Sequence, residues 1–291
     1  MKVFLAGCFS RMWVLKLYLA GIQGKRKSFV LNNESVSCRS EREEQNPCVN
    51  ASERERERER DGRTLPYILE SFYYADAETE RLIPHMKDFL LDSGAFTFMQ
   101  NSHTHVNWDD YIERYADFIK RNNVDKYFEL DIDSVVGYEK VLEYRKRLEL
   151  LTNKQPIPVW HTNRGTKEFE RSAQEYPYVA IGGLVGTGKS EYARKYWKYF
   201  PWFIKTAHSN GAKLHALGFT SMEGIKQFHF DSVDSTAWTT GNRFGYVYRF
   251  TGNDMQKTDV PKGKRLGDTR AVAQHNFDEW VKFQQWAETH L

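Results

Sequence analysis

Cysteine is scarce in this chain: Cys8, Cys38 and Cys48 are the three among 291 residues, and none follows position 48. They form no metal-type cluster and no convincing disulfide framework, so a reducing cytoplasm is the expected compartment. Net charge is nearly absent as well. The 42 basic and 39 acidic side chains leave +3, which excludes a generic polycation; a nucleic-acid partner would need a local basic face. No uncharged stretch is long enough to span a bilayer, because Arg11 and Lys16 interrupt the first apolar run. Leu5-Ala6-Gly7-Cys8 imitates a lipoprotein cleavage box, but too few apolar residues precede it. Asn50-Ala51-Ser52 matches a glycosylation sequon by pattern alone. No membrane partner is expected.

Aromatic residues, by contrast, are plentiful, with 16 Tyr, 19 Phe and 8 Trp. Such rings pack core edges and can also stack on bases. From Phe89 onward a rhythm runs along the chain: a short apolar run, a loop, then an amphipathic helix. The expected strands are Phe89–Leu91, Tyr127–Leu130, Ile157–Trp160, Tyr178–Ile181, Lys213–Leu217 and Phe228–Phe230. Between them, Trp108, Ile112, Tyr115 and Ile119 share one helical face, as do Tyr138, Val141, Leu142 and Leu148. A third helix runs from Glu191 toward Phe200, where Pro201 is expected to end or kink it. Gly211 is placed to terminate any continuation. Val3–Leu5 or Leu15–Leu19, and Tyr67–Phe72, bring the strand count to about eight, the number a closed barrel requires. The expected fold is therefore α/β, a (β/α)8 barrel of TIM type forming one domain over 1–291. An open doubly wound sheet is the alternative. A terminal helix is expected over 277–289. The segment 37–63, with its Glu/Arg run from Glu53 to Arg60, has no face to bury and reads as a solvated insertion.

In a parallel barrel, residues just past the carboxyl end of each strand converge on one mouth. Those positions are Asp92-Ser93-Gly94-Ala95-Phe96, Asp131-Ile132-Asp133, His161, Gly182-Gly183-Leu184, Gly218 and Asp231-Ser232-Val233-Asp234. Several carboxylates around one opening, with glycines for close approach, make a catalytic constellation. A lone strand-end Asp equally well caps the helix that follows. The carboxylates with His161 could hold a hard divalent cation, yet no His-x-x-x-His or Cys-x-x-Cys spacing supports one, so no metal and no cofactor are expected. One rival motif stands out. Gly183-Leu184-Val185-Gly186-Thr187-Gly188-Lys189-Ser190 satisfies the phosphate-cradling Walker A expression, which would make the chain an NTPase with Asp231 as its magnesium carboxylate. Such a loop normally opens its domain, whereas several βα units precede it here.

Leu91-Asp92-Ser93-Gly94-Ala95-Phe96 resembles the Asp-Ser-Gly-Gly-Phe motif of the tRNA-guanine transglycosylases. Gly182-Gly183-Leu184 is similar to that family's Gly-Gly-Leu loop, and Phe230-Asp231-Ser232-Val233 to its Phe-Asp-Cys-Val motif, with Leu217-Gly218 upstream. The resemblance covers approximately residues 85–245. It implies a barrel enzyme that breaks the glycosidic bond of a guanine nucleotide and installs a 7-deazaguanine such as preQ0. It further implies Asp231 as nucleophile on C1′ and Asp92 as acid/base. Asp131, or Asp133, would read the edge of the base, and Gly182, Gly183 and Leu184 would line the ring substituent; Ser93, Gly94, Phe96, His161 and Gly218 complete the expected pocket. Two departures stand beside it. The family's carboxyl-terminal zinc site is absent, and its Thr-Arg after the nucleophile is replaced by Asp234-Ser235-Thr236-Ala237-Trp238. Both look more like the bacteriophage and genomic-island branch, which modifies DNA rather than tRNA. Arg243, Arg249, Lys257, Lys262, Lys264 and Arg265 are then the candidate phosphate contacts.

Overall fold

The computed structural model describes residues 1–8, 12–22, 64–100, 106–183, 190–219, 221–259 and 269–291. The insertion 37–63 lies outside the described residues, as do Leu184, Lys262, Lys264, Arg265 and positions 184–189 of the glycine-rich expression. The side chains of Phe96, Ser190 and Arg243 lie outside them too.

Seven strands form one curled, wholly parallel sheet: β1 Lys2–Ala6, β2 Tyr67–Ser71, β3 Asp88–Asp92, β4 Val159–Trp160, β5 Tyr178–Ile181, β6 Lys213–Ala216 and β7 Ser232–Ser235. Their spatial order is β3-β2-β1-β7-β6-β5-β4. Parallel neighbours need long crossovers, and helices supply them. The expected strand Tyr127–Leu130 is present only as two parallel bridges, Leu91↔Tyr127 and Phe128↔Ile157. Here Leu91 N donates to Lys126 O at 2.9 Å, and Glu129 N donates to Ile157 O at 3.0 Å.

Side chains alternate across a strand with period two, and both faces of this sheet are covered. Phe4, Tyr67, Leu69, Leu90, Phe128, Ile157, Val159 and Ala180 pack together on the inner, concave face. Val3, Leu5, Ile68, Leu91, Val179, Ile181, Leu214 and Val233 join the larger core beneath the helices. The helix Trp108–Arg121 shows how the sequence builds that outer layer. Asn107 caps it by accepting from Asp110 N, and acids in its first turn and bases in its last suit the helix dipole. It buries Tyr111, Ile112, Tyr115 and Ile119. Tyr115 Oη then donates to Phe128 O at 2.9 Å and reaches Leu91 O at 3.2 Å, tying the helix to β3 and to the bridging segment.

Four expectations need correction. Leu15–Leu19 belongs to a helix, Met12–Ile22, and Val3–Leu5 is the strand of that pair. The helix expected from Glu191 runs over Ser190–Trp197 and does end before Pro201, but Pro201 also opens a new helix, Phe200–Ser209, in whose first turn its missing N–H costs nothing. The terminal helix begins earlier than expected and runs from Thr269 to His290; its Gln284 amide donates to Val3 O and Tyr67 O, each at 2.7 Å. Phe228–Phe230 is not a strand. Its rings pack with Phe200 and Phe219 at centroid distances near 5 Å, Phe228–Phe200 at 5.0 Å and Phe230–Phe219 at 5.5 Å. The chain enters the sheet only afterwards, at Ser232.

Beyond β7 lies an antiparallel hairpin the sequence pattern did not disclose, β8 Tyr246–Phe250 with β9 Met255–Asp259. It leans on the terminal helix, where Asn276 Oδ1 accepts from Tyr248 N at 2.8 Å and Glu279 Oε2 from Phe250 N at 2.6 Å. No helix among the described residues is long and apolar enough to cross a membrane.

Candidate active site

The late start of β7 decides the site. Lys2 of β1 pairs with Ser232, so Asp231 stands before the first paired residue of its strand. Asp92 is the last residue of β3 and pairs with Ser71 at the end of β2. In a parallel sheet these are opposite edges. Asp231 therefore lies at the amino-terminal edge and Asp92 at the carboxyl-terminal edge, and the expected pairing of the two does not form. Asp231 instead shapes the strand entry: its Oδ2 accepts from Leu214 N and from His208 Nε2, both at 2.8 Å. It lines a cleft at that edge with Lys2, Asp88, Lys126, Tyr178 and Lys213. The same placement removes Asp231 as a magnesium carboxylate for the Gly183 loop, which follows the carboxyl end of β5.

The carboxylate that β7 does bring to the carboxyl-terminal edge is Asp234. Val233 is buried against the helices, so parity turns Ser232 and Asp234 to the inner face. Asp234 Oδ1 accepts from Gly218 N at 2.5 Å and lies 3.2 Å from His215 Nε2. Gly218 has φ +67°, a conformation that favours glycine, and it presents this N–H to the carboxylate. His215 is fully buried, and its Nδ1 meets Ser232 Oγ at 2.5 Å. Ser232 Oγ in turn meets Tyr178 Oη.

Asp92 shares this mouth. Its Oδ2 accepts from Gly94 N at 3.0 Å. Burial, with the nearby charges of Asp131 and Asp234, outweighs that hydrogen bond and raises its pKa from the ordinary 3.8 to about 6. Gly94 is required here: at φ +81° an added Cβ would stand 2.7 Å from Tyr73 Cβ. Ser93, expected to touch substrate, is fully buried, and its carbonyl accepts from Tyr111 Oη at 2.6 Å. It anchors the outer helix instead.

The raised pKa of Asp92 has a consequence for stability. The folded state binds this proton more tightly than the unfolded chain, so folding weakens as pH rises from about 4 through about 6. Asp92→Asn is expected to stabilise the protein at pH 7.5 by up to about 3 kcal/mol. The gain should vanish below about pH 4, where both states are protonated, and thermal melts across that range check it.

The third wall is a charged lattice around Arg164, which sequence reading missed. This nearly buried guanidinium donates through Nε to Asp133 Oδ2 at 3.1 Å, through one terminal nitrogen to Glu129 Oε1 at 2.8 Å and through the other to Asp131 Oδ1 at 2.9 Å. Glu129, wholly inaccessible, also accepts from Arg145 Nε at 2.6 Å and from Val159 N at 2.9 Å. The other oxygen of Asp131 meets His161 Nε2 at 2.6 Å. Burial alone would lower the His161 pKa; the hydrogen bond and charge of Asp131 outweigh it and raise the pKa. The imidazole packs against the Gly182-Gly183 backbone, where an added Cβ would come within 2.7 Å of the ring at Gly182 and 3.0 Å at Gly183. Both glycines are thus needed for this close approach.

Asp92, Gly94, Asp131, Asp133, His161, Gly182, Gly183 and Gly218 accordingly gather at one edge of the sheet, and Asp234 joins them. No signal in the sequence marked Arg164. Parity along Lys213–Leu217 turns His215 inward, opposite Leu214 and Ala216. Among the described residues no group of three or more His, Cys, Asp or Glu is arranged to hold a metal ion. Arg249 is exposed on β8, and Lys257 on β9 lies over the Tyr246 ring at 3.9 Å. No protein-family model matches the chain, and no curated protein matches it.

Proposed function

We propose that the chain is a base-exchange enzyme that replaces guanine by a 7-deazaguanine derivative in DNA, with Asp234 rather than Asp231 as nucleophile. The observation that carries this is the convergence of Asp92 and Asp234 on one inner mouth, in different environments. Two carboxylates set apart in this way suit a division into nucleophile and proton carrier. A carboxylate beside C1′ suits the positive character that a breaking glycosidic bond develops.

The steps follow from those roles. An oxygen of Asp234 bonds to C1′ as the C1′–N9 bond breaks, and the departing guanine takes the proton of Asp92. The incoming deazaguanine returns a proton to Asp92, and its N9 displaces Asp234 from C1′. Gly218 N–H and His215 orient Asp234 for both displacements. Asp131 and His161 face the polar edge of the base, and the Gly182-Gly183 backbone seats the His161 ring there. The target base must leave its stack to reach this mouth. Eight-membered closure of the sheet into a full barrel accords with the Tyr127 and Phe128 bridges between β3 and the β4 side. The same chemistry on tRNA is the alternative substrate reading.

The test is nucleoside mass spectrometry of DNA and RNA from cells that express the protein and are supplied with a deazaguanine. A 7-deazaguanine nucleoside in DNA is the expected result. A gain in RNA alone moves the substrate to tRNA, and no gain in either polymer removes the proposal. For purified protein, kcat/KM should fall as pH rises through about 6, where Asp92 gives up its proton.

A further inference from the structure

On the outer side of β4, beside the acidic mouth, lies a cavity of about 420 Å³ lined by Trp160, Thr162, Tyr196, Tyr199, Trp202 and Phe203. Its volume is in the range of small-molecule sites. Thr162 directly follows His161, so cavity and mouth share the carboxyl end of one strand. The rings are held firmly: Trp160 and Phe203 lie 4.7 Å apart between centroids, and Trp160 Nε1 donates to Gly165 O at 2.7 Å. Tyr199, on the rim, is 47% exposed.

Cations stand beside these rings. Lys195 Nζ lies 5.9 Å from the centroid of Tyr196, and Lys198 Nζ lies 5.0 Å from that of Tyr199. Neither lysine is ion-paired to an acid among the described residues, whereas neighbouring Arg194 is paired with Glu223. A flat aromatic slot edged by unpaired ammonium groups answers a ligand that is planar and anionic at once. An unpaired nucleotide has both properties: its base stacks on rings and its phosphate meets lysine. A purely apolar peptide would gain nothing from the two cations.

We propose that this cavity receives an unpaired base of single-stranded DNA, a neighbour in the strand of the base exchanged at the mouth, with Lys195 and Lys198 against the flanking phosphates. It rests on the polynucleotide reading of the mouth. A base parked here would keep the strand open while its neighbour enters the acidic site, and it would supply the positive surface that the carboxylate-rich mouth lacks.

The experiment is fluorescence anisotropy of a short single-stranded oligodeoxynucleotide with the full chain. Tyr199→Ala should raise Kd about tenfold, and Tyr199→Phe should leave it unchanged, since stacking needs the ring and not the hydroxyl. An oligonucleotide of equal length carrying only abasic sites should bind the unmodified protein as weakly, and should not respond to Tyr199→Ala. The double change Lys195→Gln with Lys198→Gln should reduce the slope of log Kd against log salt by roughly one to two. Equal binding by Tyr199→Ala, equal affinity for the abasic strand, or no binding of the normal strand overturns the proposal. Base exchange that persists without the Tyr199 effect removes the cavity's role alone. The Tyr199 and abasic effects in a protein without exchange activity remove the base-exchange reading and leave the cavity a base-binding site.

Discussion

Asp234→Asn is expected to abolish base exchange, with a fall of roughly 10³-fold or more, while Asp231→Asn changes it by less than about threefold. The amide keeps the shape and still accepts from Gly218 N–H, so the fold survives, but it cannot bond to C1′ as a carboxylate does. The contrast between the two variants is the decisive part. They stand three positions apart in the chain, which is roughly 10 Å of extended strand. That distance carries one to the carboxyl-terminal edge, beside His215 and Gly218, and the other to the amino-terminal edge, beside His208 and Leu214. Exchange of labelled guanine into an oligonucleotide reads both variants. Loss of activity in Asp231→Asn with full activity in Asp234→Asn would reverse the assignment.

Removal of the Arg164 guanidinium is expected to cost more stability than any exposed charge substitution. Arg164→Met leaves Glu129, which has no access to water, with Arg145 as its remaining cation, and strips the same partner from Asp131 and Asp133. Breaking one side of a buried ion pair costs about 3–5 kcal/mol, because the other charge stays buried without compensation. Arg164→Lys should recover little, since one ammonium cannot reach three carboxylates as the planar fork does. Arg171→Met is the control. That guanidinium is 43% exposed and pairs with Glu168 one turn earlier in its helix, with Tyr138 beside it, so a change within about 0.5 kcal/mol is expected. Urea unfolding measures all three. The defect should also shrink in acid. Burial alone would raise the Asp133 pKa, but the charge of Arg164 and the hydrogen bonds from Asn163 and Arg164 hold it below the usual range. Its contribution is therefore present above the ordinary carboxylate pKa and is lost as pH falls through the lowered value, so wild type and Arg164→Met converge.

These two sites differ in how far the sequence pointed to them. The fold class was legible because parallel strands covered on both faces are short apolar runs separated by amphipathic helices, and Tyr178–Ile181 occupies the span its pattern indicates. The Asp92 turn was legible for a similar reason: a carboxylate followed by a glycine that must take positive φ is a local requirement. The edge that each later carboxylate occupies is not legible, because apolar content does not mark this strand. Phe228 and Phe230 are apolar since they fill an aromatic cluster with Phe200 and Phe219, whereas β7 is Ser-Val-Asp-Ser because its inner face carries polar groups.

The order of apolar runs, turn glycines and amphipathic helices in the chain was enough to determine an α/β architecture with acidic residues near its strand ends. Those are local properties, written at spacings of two and about four residues. Only the tertiary structure decided which edge each acid occupies, because register is set by pairing across strands far apart in sequence, and a shift of a few residues exchanges one end of the sheet for the other. Arg164, Glu129 and His215 were invisible for the same cause: each matters through neighbours from other strands and helices that no single segment contains.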